Sequence, residues 1–260
     1  MPEVISEMRG AALILAFNRP EKGNAMTPDM ASQAGLILKN ATTDNRVRAV
    51  MLRGAGAEFM SGLDMEIYAG NLEKGVEKAN QMMQPYNSAI REMNLMEKPV
   101  LAVVKGRVSG PGMSFMLASD LVLAAEGSVF NCGFSTFGLT PDGGSSYFLA
   151  RRAGAAKAAE WLMLSENISV ADAMEWGLVN AVVDETALEA QAMSWIDRLA
   201  NGPTRAFGGV KKLIAKAFMQ DLNLQMGLEH TYWGASARSF DFREAVKAHF
   251  AGREPKYSGV

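Results

Sequence analysis

The sequence predicts an α/β fold. Three observations carry this: short apolar runs rich in β-branched residues, helical periodicity between several of them, and glycine turns at the junctions. Ala11–Phe17 is a short apolar run ended by Asn18-Arg19-Pro20, which reads as a strand stopped by a turn. After a loop through Ala25, Thr27-Pro28 supplies an N-cap with proline at the first helical position. Met30, Ala34, Ile37, Leu38 and Ala41 then recur on one helical face. Val47–Leu52, Val100–Val104 and Leu121–Ala124 are further strands. They lack polar alternation, as expected of strands covered on both faces. Met113–Ala118 and Tyr147–Arg152 read as helical, and Ser169-Val170-Ala171-Asp172 begins a helix that Gly177 stops. From Thr186 the period is helical through Trp195, Lys211–Phe218 and Leu224–Trp233, with no strand signal after Val183. This divides the chain into an α/β core over 1–200 and a helical C-terminal region over 201–260.

Composition excludes several kinds of function. The 260 residues carry 26 Lys+Arg against 28 Asp+Glu, a net charge of −2, so no basic field exists to hold a nucleic-acid backbone. One cysteine and two histidines are too few for Cys/His zinc ligation, and the single thiol fits a reducing, cytoplasmic setting. The N-terminal residues show no secretory pattern, and no apolar run approaches the ~18 residues a membrane span needs.

Three glycine turns remain as candidate chemistry: Phe59-Met60-Ser61-Gly62-Leu63-Asp64, Gly106–Gly112, and Pro141-Asp142-Gly143-Gly144. The latter two feed helix starts, where free backbone N–H groups favour an anion or oxyanion. Gly106–Gly112 fits neither the dinucleotide fingerprint nor the phosphate loop. His230 and His249 both lie in the helical tail and no Gly-x-Ser-x-Gly elbow exists, which argues against a nucleophilic serine. Cys132 follows an apparent strand and is expected to be a buried, inert thiol.

In order along the chain, five segments resemble those of the crotonase superfamily, also called the enoyl-CoA hydratase/isomerase family. They are Asn18–Met26, Phe59–Met65, Lys98–Asp120, Gly138–Gly144 and Ala171–Val179. The resemblance implies a crotonase-type spiral of β-β-α units with a helical C-terminal region that forms a homotrimer or hexamer. It also implies an acyl-coenzyme A thioester as ligand, with coenzyme A as part of the substrate and no separate cofactor.

What the resemblance implies about residues is specific. Two backbone N–H groups would form an oxyanion hole, and these fall at Leu63 and Pro111. Pro111 has no N–H, so either Gly112 N–H, a water or a shifted turn replaces it, or enolate stabilisation is weak; the alternative is that the proline merely fits a first helical position. The two glutamates of the family's hydratases fall at Ser114 and Phe134, which cannot supply an acid/base pair, so hydration is disfavoured. Asp142 survives as the one positioned carboxylate, as in a subset of the family that includes the isomerase of phenylacetate degradation. Either it carries a proton between Cα and Cγ of an enoyl thioester, desolvated against Phe134 and Leu139, or it is only a helix N-cap. The family's aryl-thioester dehalogenases need a histidine and a tryptophan where this chain has Asn87 and Phe134. Arg19 and Lys22 are expected at the coenzyme A phosphates, with Ala25, Gly62 and Leu63 at adenine and pantetheine. Phe250 and Arg253 resemble a C-terminal Phe/Lys pair that completes the site in other members. Pro111, Ser114 and Phe134 together also motivate a rival reading, a thioester-binding scaffold without turnover. An RNA-binding role has little support, since Met30–Asn40 holds only Lys39.

Overall fold

A computed structural model describes all 260 residues. Strands β1 (Val4–Arg9) and β2 (Ala12–Phe17) form an antiparallel hairpin across Gly10-Ala11, where Gly10 takes a left-handed φ of 57°. Helix α1 (Pro28–Thr43) carries the chain to β3 (Ala49–Gly54), parallel to β2, and α2 (Leu72–Leu95) carries it to β4 (Val100–Val104), parallel to β3. Next come β5 (Arg107–Ser109), α3 (Pro111–Ala118) and β6 (Leu121–Ala125), the last parallel to β4. Strand β7 (Val129–Asn131), α4 (Ser145–Leu164), β8 (Ile168–Ser169) and α5 (Val170–Glu175) precede β9 (Ala181–Val183), which pairs with β6. The main sheet runs β1-β2-β3-β4-β6-β9, and a small sheet runs β5-β7-β8. Single bridges, Met60 to Val108 and Met26 to Leu63, continue the small sheet's pairing toward earlier segments. Successive units thus place one strand in the main sheet and one pairing segment beside it before the helix, which is the expected spiral.

The apolar strands follow from two-sided burial. One face of the main sheet packs Leu13, Leu15, Val50 and Leu52 against Met30, Leu38, Tyr86, Met93 and Phe115 of helices α1 to α3. The opposite face packs Ile14, Met51, Leu101 and Leu123 against Leu188, Ala192 and Ile196 of α6 (Glu185–Ala200). Neighbouring residues of one strand therefore serve different cores, and each large side chain contributes about 1.5–3 kcal/mol of burial. Thr27 caps α1 as expected, its Oγ accepting the Met30 N–H at 3.0 Å.

Three elements depart from the sequence expectation. Strand β1 forms from residues of which only Val4 is buried, and it is held by hairpin pairing rather than by an apolar face. Helix α2 runs for 24 residues despite Pro85 in its interior. At Gly35 α1 passes so near α2 that a side chain there would collide with the Pro85 carbonyl. Helix α4 also runs past Arg152, with a break at Gly154, where φ is 79°.

The tail comprises α7 (Thr204–Ala217), α8 (Leu222–Ala237) and α9 (Phe240–Phe250). Lys211 anchors α7, donating to the Met93 and Lys98 carbonyls and pairing with Asp120 at 2.8 Å. Helix α8 buries none of its residues. No helix is long and apolar enough to cross a membrane.

Candidate functional site

The first loop is held by its own buried polar groups. Asn24 sits at φ 55° with no exposed surface. Its Oδ1 accepts the Arg19 N–H at 2.8 Å, and its amide donates to the Ala55 and Glu58 carbonyls. Arg19 does not point outward as a phosphate ligand. Its guanidinium donates to the Ala25 carbonyl and to Asp64 Oδ2 at 2.8 Å and lies 3.4 Å from Glu3, with 14% of the side chain exposed. A carboxylate with a charge-assisted hydrogen bond competes strongly for that cation, so the expectation for Arg19 is corrected: it clamps the loop onto the segment carrying Leu63. Lys22 remains at the surface, paired with Glu66, which keeps its pKa raised.

This clamp orients one peptide group. The Gly62 carbonyl accepts the Met26 N–H at 2.8 Å, and the Asp64 N–H donates to the Met26 carbonyl at 2.9 Å. In a trans peptide the N–H points opposite to the carbonyl, so the Leu63 N–H is turned away from the loop and donates to no group of the chain. Gly62 takes φ 132°, which suits glycine.

The second turn lies against the first. Gly110, at φ 49° and ψ −116°, faces Gly62, and Gly112 is packed so tightly on Met60 that a side chain there would overlap it. Pro111 occupies the first position of α3, so this turn offers no N–H where the family resemblance places one. The Gly112 and Met113 N–H groups are the free donors at this helix start, while Ser114 N–H already donates to the Gly110 carbonyl.

Asp142 is tied to the first turn of α3 through Ser114. Ser114 Oγ donates to the Asp142 carbonyl at 3.2 Å, and Ser145 binds that carbonyl through both N–H and Oγ. The N-cap of α4 is Gly144, without a side-chain cap, so the Asp142 carboxylate is not spent at the helix end. Its Oδ1 instead accepts the Tyr86 hydroxyl at 3.2 Å. Burial pushes its pKa up to about 6, and the Tyr86 hydrogen bond opposes that rise. The neighbours differ from expectation: Phe134 is buried, but Leu139 is 49% exposed, because the turn through Thr140 faces solvent. Tyr86, with no exposed surface, takes the covering role instead. Tyr68 also senses the Asp142 charge, although burial is the larger cause of its raised pKa.

Several residues lie apart from this cluster. Phe250 is 84% exposed on α9, and Arg253 pairs with Glu244 at 2.6 Å just beyond it. His230 and His249 are exposed on tail helices. Cys132 is buried, and desolvation pushes its thiol up to about 12. A cavity of about 520 Å³ opens at the opposite end of α3 between α4 and α7, and touches none of Leu63, Gly112 or Asp142.

Sequence reasoning missed Tyr86. Its neighbour Asn87 is where the resemblance places the histidine of the family's dehalogenases. A tyrosine one residue after a proline, in a polar stretch, gives no sign of a buried hydroxyl.

The arrangement, a raised carboxylate on a turn bound to Ser114 of α3 and free amides from two glycine turns at the start of the same helix, is suited to moving a proton beside a developing oxyanion. Comparison with known proteins gives the family. The family model for enoyl-CoA hydratase/isomerase matches residues 7–259. The chain is 34% identical to the 1,2-epoxyphenylacetyl-CoA isomerase of Escherichia coli (strain K12), over 100% of this chain and 99% of that protein. It is 30% identical to a probable enoyl-CoA hydratase of Rhodobacter capsulatus, over 97% and 96%. Among solved structures, an enoyl-CoA hydratase from Polaromonas sp. JS666 superposes with a TM-score of 0.91 at 31% identity, over 98% of this chain and 99% of that one. With nearly the whole length matched in sequence and in fold, the chain belongs to the enoyl-CoA hydratase/isomerase family.

Proposed function

We propose that the protein is an enoyl-CoA isomerase, with Asp142 as its single acid/base group. The carboxylate removes a proton from Cα of a 3-enoyl thioester. The electron pair delocalises through the carbonyl as a dienolate, and the same carboxyl returns the proton to Cγ, leaving the double bond between Cα and Cβ. Leu63 N–H, with Gly112 N–H in place of the one Pro111 lacks, would hold the oxyanion. Coenzyme A enters as part of the substrate. The observation that carries this reading is a lone carboxylate, raised toward neutrality by burial and free of any capping role, with serine and phenylalanine at the places a hydratase needs glutamates. The isomerase name of the Escherichia coli relative supports it.

Incubation with a 3-enoyl-CoA in deuterated water is expected to give the 2-enoyl isomer, and Asp142→Asn to lower the rate by about 10²–10⁴. Full activity in that variant would remove Asp142 from the role. Pro111 favours a second reading, a thioester-binding scaffold. Tight binding without turnover on any enoyl, hydroxyacyl or aryl thioester would select it.

A homotrimer or hexamer is part of the same proposal. Its support is the large apolar side chains left open on the tail, among them Phe218, Trp233, Phe240 and Phe250, each 64–84% exposed. Sedimentation at micromolar concentration should give a trimer mass or twice that, and a stable monomer would overturn the assembly.

A further inference from the structure

We propose that Tyr86 is the positioning residue of Asp142: its hydroxyl holds Oδ1 and leaves Oδ2 as the one oxygen that exchanges a proton with the substrate. This rests on the reading of Asp142 as the acid/base group.

Tyr86 is among the largest fully buried side chains of the protein. Its ring is tilted against Phe115, with centroids 5.6 Å apart, and Phe115 packs in turn on Phe17 at 5.0 Å. An aromatic cluster of this kind gains nothing from a hydroxyl unless the hydroxyl finds a partner. Here the partner is Asp142 Oδ1 at 3.2 Å, while Oδ2 has no hydrogen bond within the chain. The turn is shaped for this approach. Gly143 sits at φ 53°, and a side chain on it would run into the Tyr86 hydroxyl and into Ser114. The aspartate is therefore fixed from two elements. Ser114 of α3 holds its backbone carbonyl and Tyr86 of α2 holds its side chain, with the Ser114 hydroxyl beside the Tyr86 hydroxyl.

The electrostatics follow from the same neighbours. The titratable groups that sense Asp142 are Tyr86 from α2 and Tyr68 from the turn after β3. From α3 and α4 the flanking groups are the neutral hydroxyls of Ser114 and Ser145. No cation faces the carboxylate, so the phenol's hydrogen bond is the one interaction that favours its ionised form against burial. Burial keeps Tyr86 itself protonated well past its ordinary range, which suits a permanent donor and not a base.

The test is the pH profile of isomerisation. Tyr86→Phe keeps the ring and removes the donor. The acid limb of kcat/KM, expected near pH 6 in the unmodified protein, should move up by about one unit. The variant's kcat should fall about tenfold with little change in KM, because the carboxyl loses its fixed rotamer. Incorporation of 3-fluorotyrosine at position 86 gives a more acidic phenol and should move the limb the opposite way. Carbon-13 titration of the Asp142 carboxyl should show the same shifts without substrate, and the fluorinated protein serves if Tyr86→Phe fails to fold. An unchanged limb and carboxyl titration in whichever of these proteins folds would overturn the proposal. Asp142→Asn separates the two levels, since retained activity there would defeat the reading of Asp142 itself, whatever Tyr86 does.

Discussion

The two halves of the site are built on opposite terms. On one side, Leu63 is presented by a loop whose polar groups are satisfied: Arg19 pairs with Asp64, Asn24 bridges three backbone groups, and Met26 pairs on both sides of Leu63. That half carries no titratable group in its working part, and its order comes with the folding of the loop. On the other side, Asp142 is a carboxylate partly removed from water with a single phenol to compensate. The first half is consistent with stability, and the second is purchased against it. The difference teaches where pH and mutation should act: the amide half through geometry alone, the carboxylate half through its proton.

Within the amide half, the largest effect should come from Leu63. Leu63→Pro removes a donor that no intramolecular bond uses, so the loop keeps its pairings while the oxyanion loses its contact. A fall in kcat/KM of about 10²–10³ is expected, on the order of 3–4 kcal/mol of barrier, with circular dichroism unchanged. A folded variant of unaltered rate would break the comparison, because the amide half would then be structural only.

A smaller effect, of opposite sign in stability, should come from the carboxylate half. A carboxyl whose folded pKa is raised binds its proton more tightly in the folded chain. Its contribution to stability is therefore complete below the ordinary value of 3.8 and is lost as pH rises through about 6. Asp142→Asn should thus raise stability near neutral pH by about 2 kcal/mol and leave it nearly unchanged at about pH 4. Urea denaturation at both pH values measures this. Equal changes at both would mean that burial is not what shifts the group.

These halves were not equally legible in the sequence. The strands β2, β3, β4 and β6 were, because burial on both faces writes itself as uninterrupted apolar runs, and Thr27-Pro28 marks a helix start by local chemistry alone. Strand β1 was not, since five of its six residues are exposed and only its hairpin partner defines it. Helix α2 was hidden by Gly75 and Pro85, which break the helical signal although α1 and the sheet hold the segment in place. Asp142 was found through a resemblance of motifs, but its environment was not, because Tyr86 lies 56 residues away along the chain. Arg19 was misread for the same reason. A cation in a loop looks like a surface charge until a carboxylate 45 residues on is folded against it.

Position 111 is where the amide half departs from the pattern that the family resemblance implies. Pro111 withholds an N–H at the start of α3, and the Gly112 N–H beside it is free. Two arrangements are consistent with that geometry: either Gly112 already serves the oxyanion, or the hole works with the Leu63 donor alone. Pro111→Ala distinguishes them, because alanine restores the N–H at a helix position that tolerates it. The loss of proline's restriction on the unfolded chain costs only about 0.4–1 kcal/mol of stability. If Leu63 acts alone, the new donor should raise kcat by about tenfold, a fraction of what a well-aimed donor supplies because the turn was not shaped around it. If Gly112 already donates, kcat should stay within about twofold, and Gly112→Ala, which must push Met60 aside, should then lower it. The first outcome makes the amide half weaker than its family's pattern and leaves the dienolate to depend more on its own conjugation. The second restores two donors and makes Pro111 a helix-start residue with no chemical consequence.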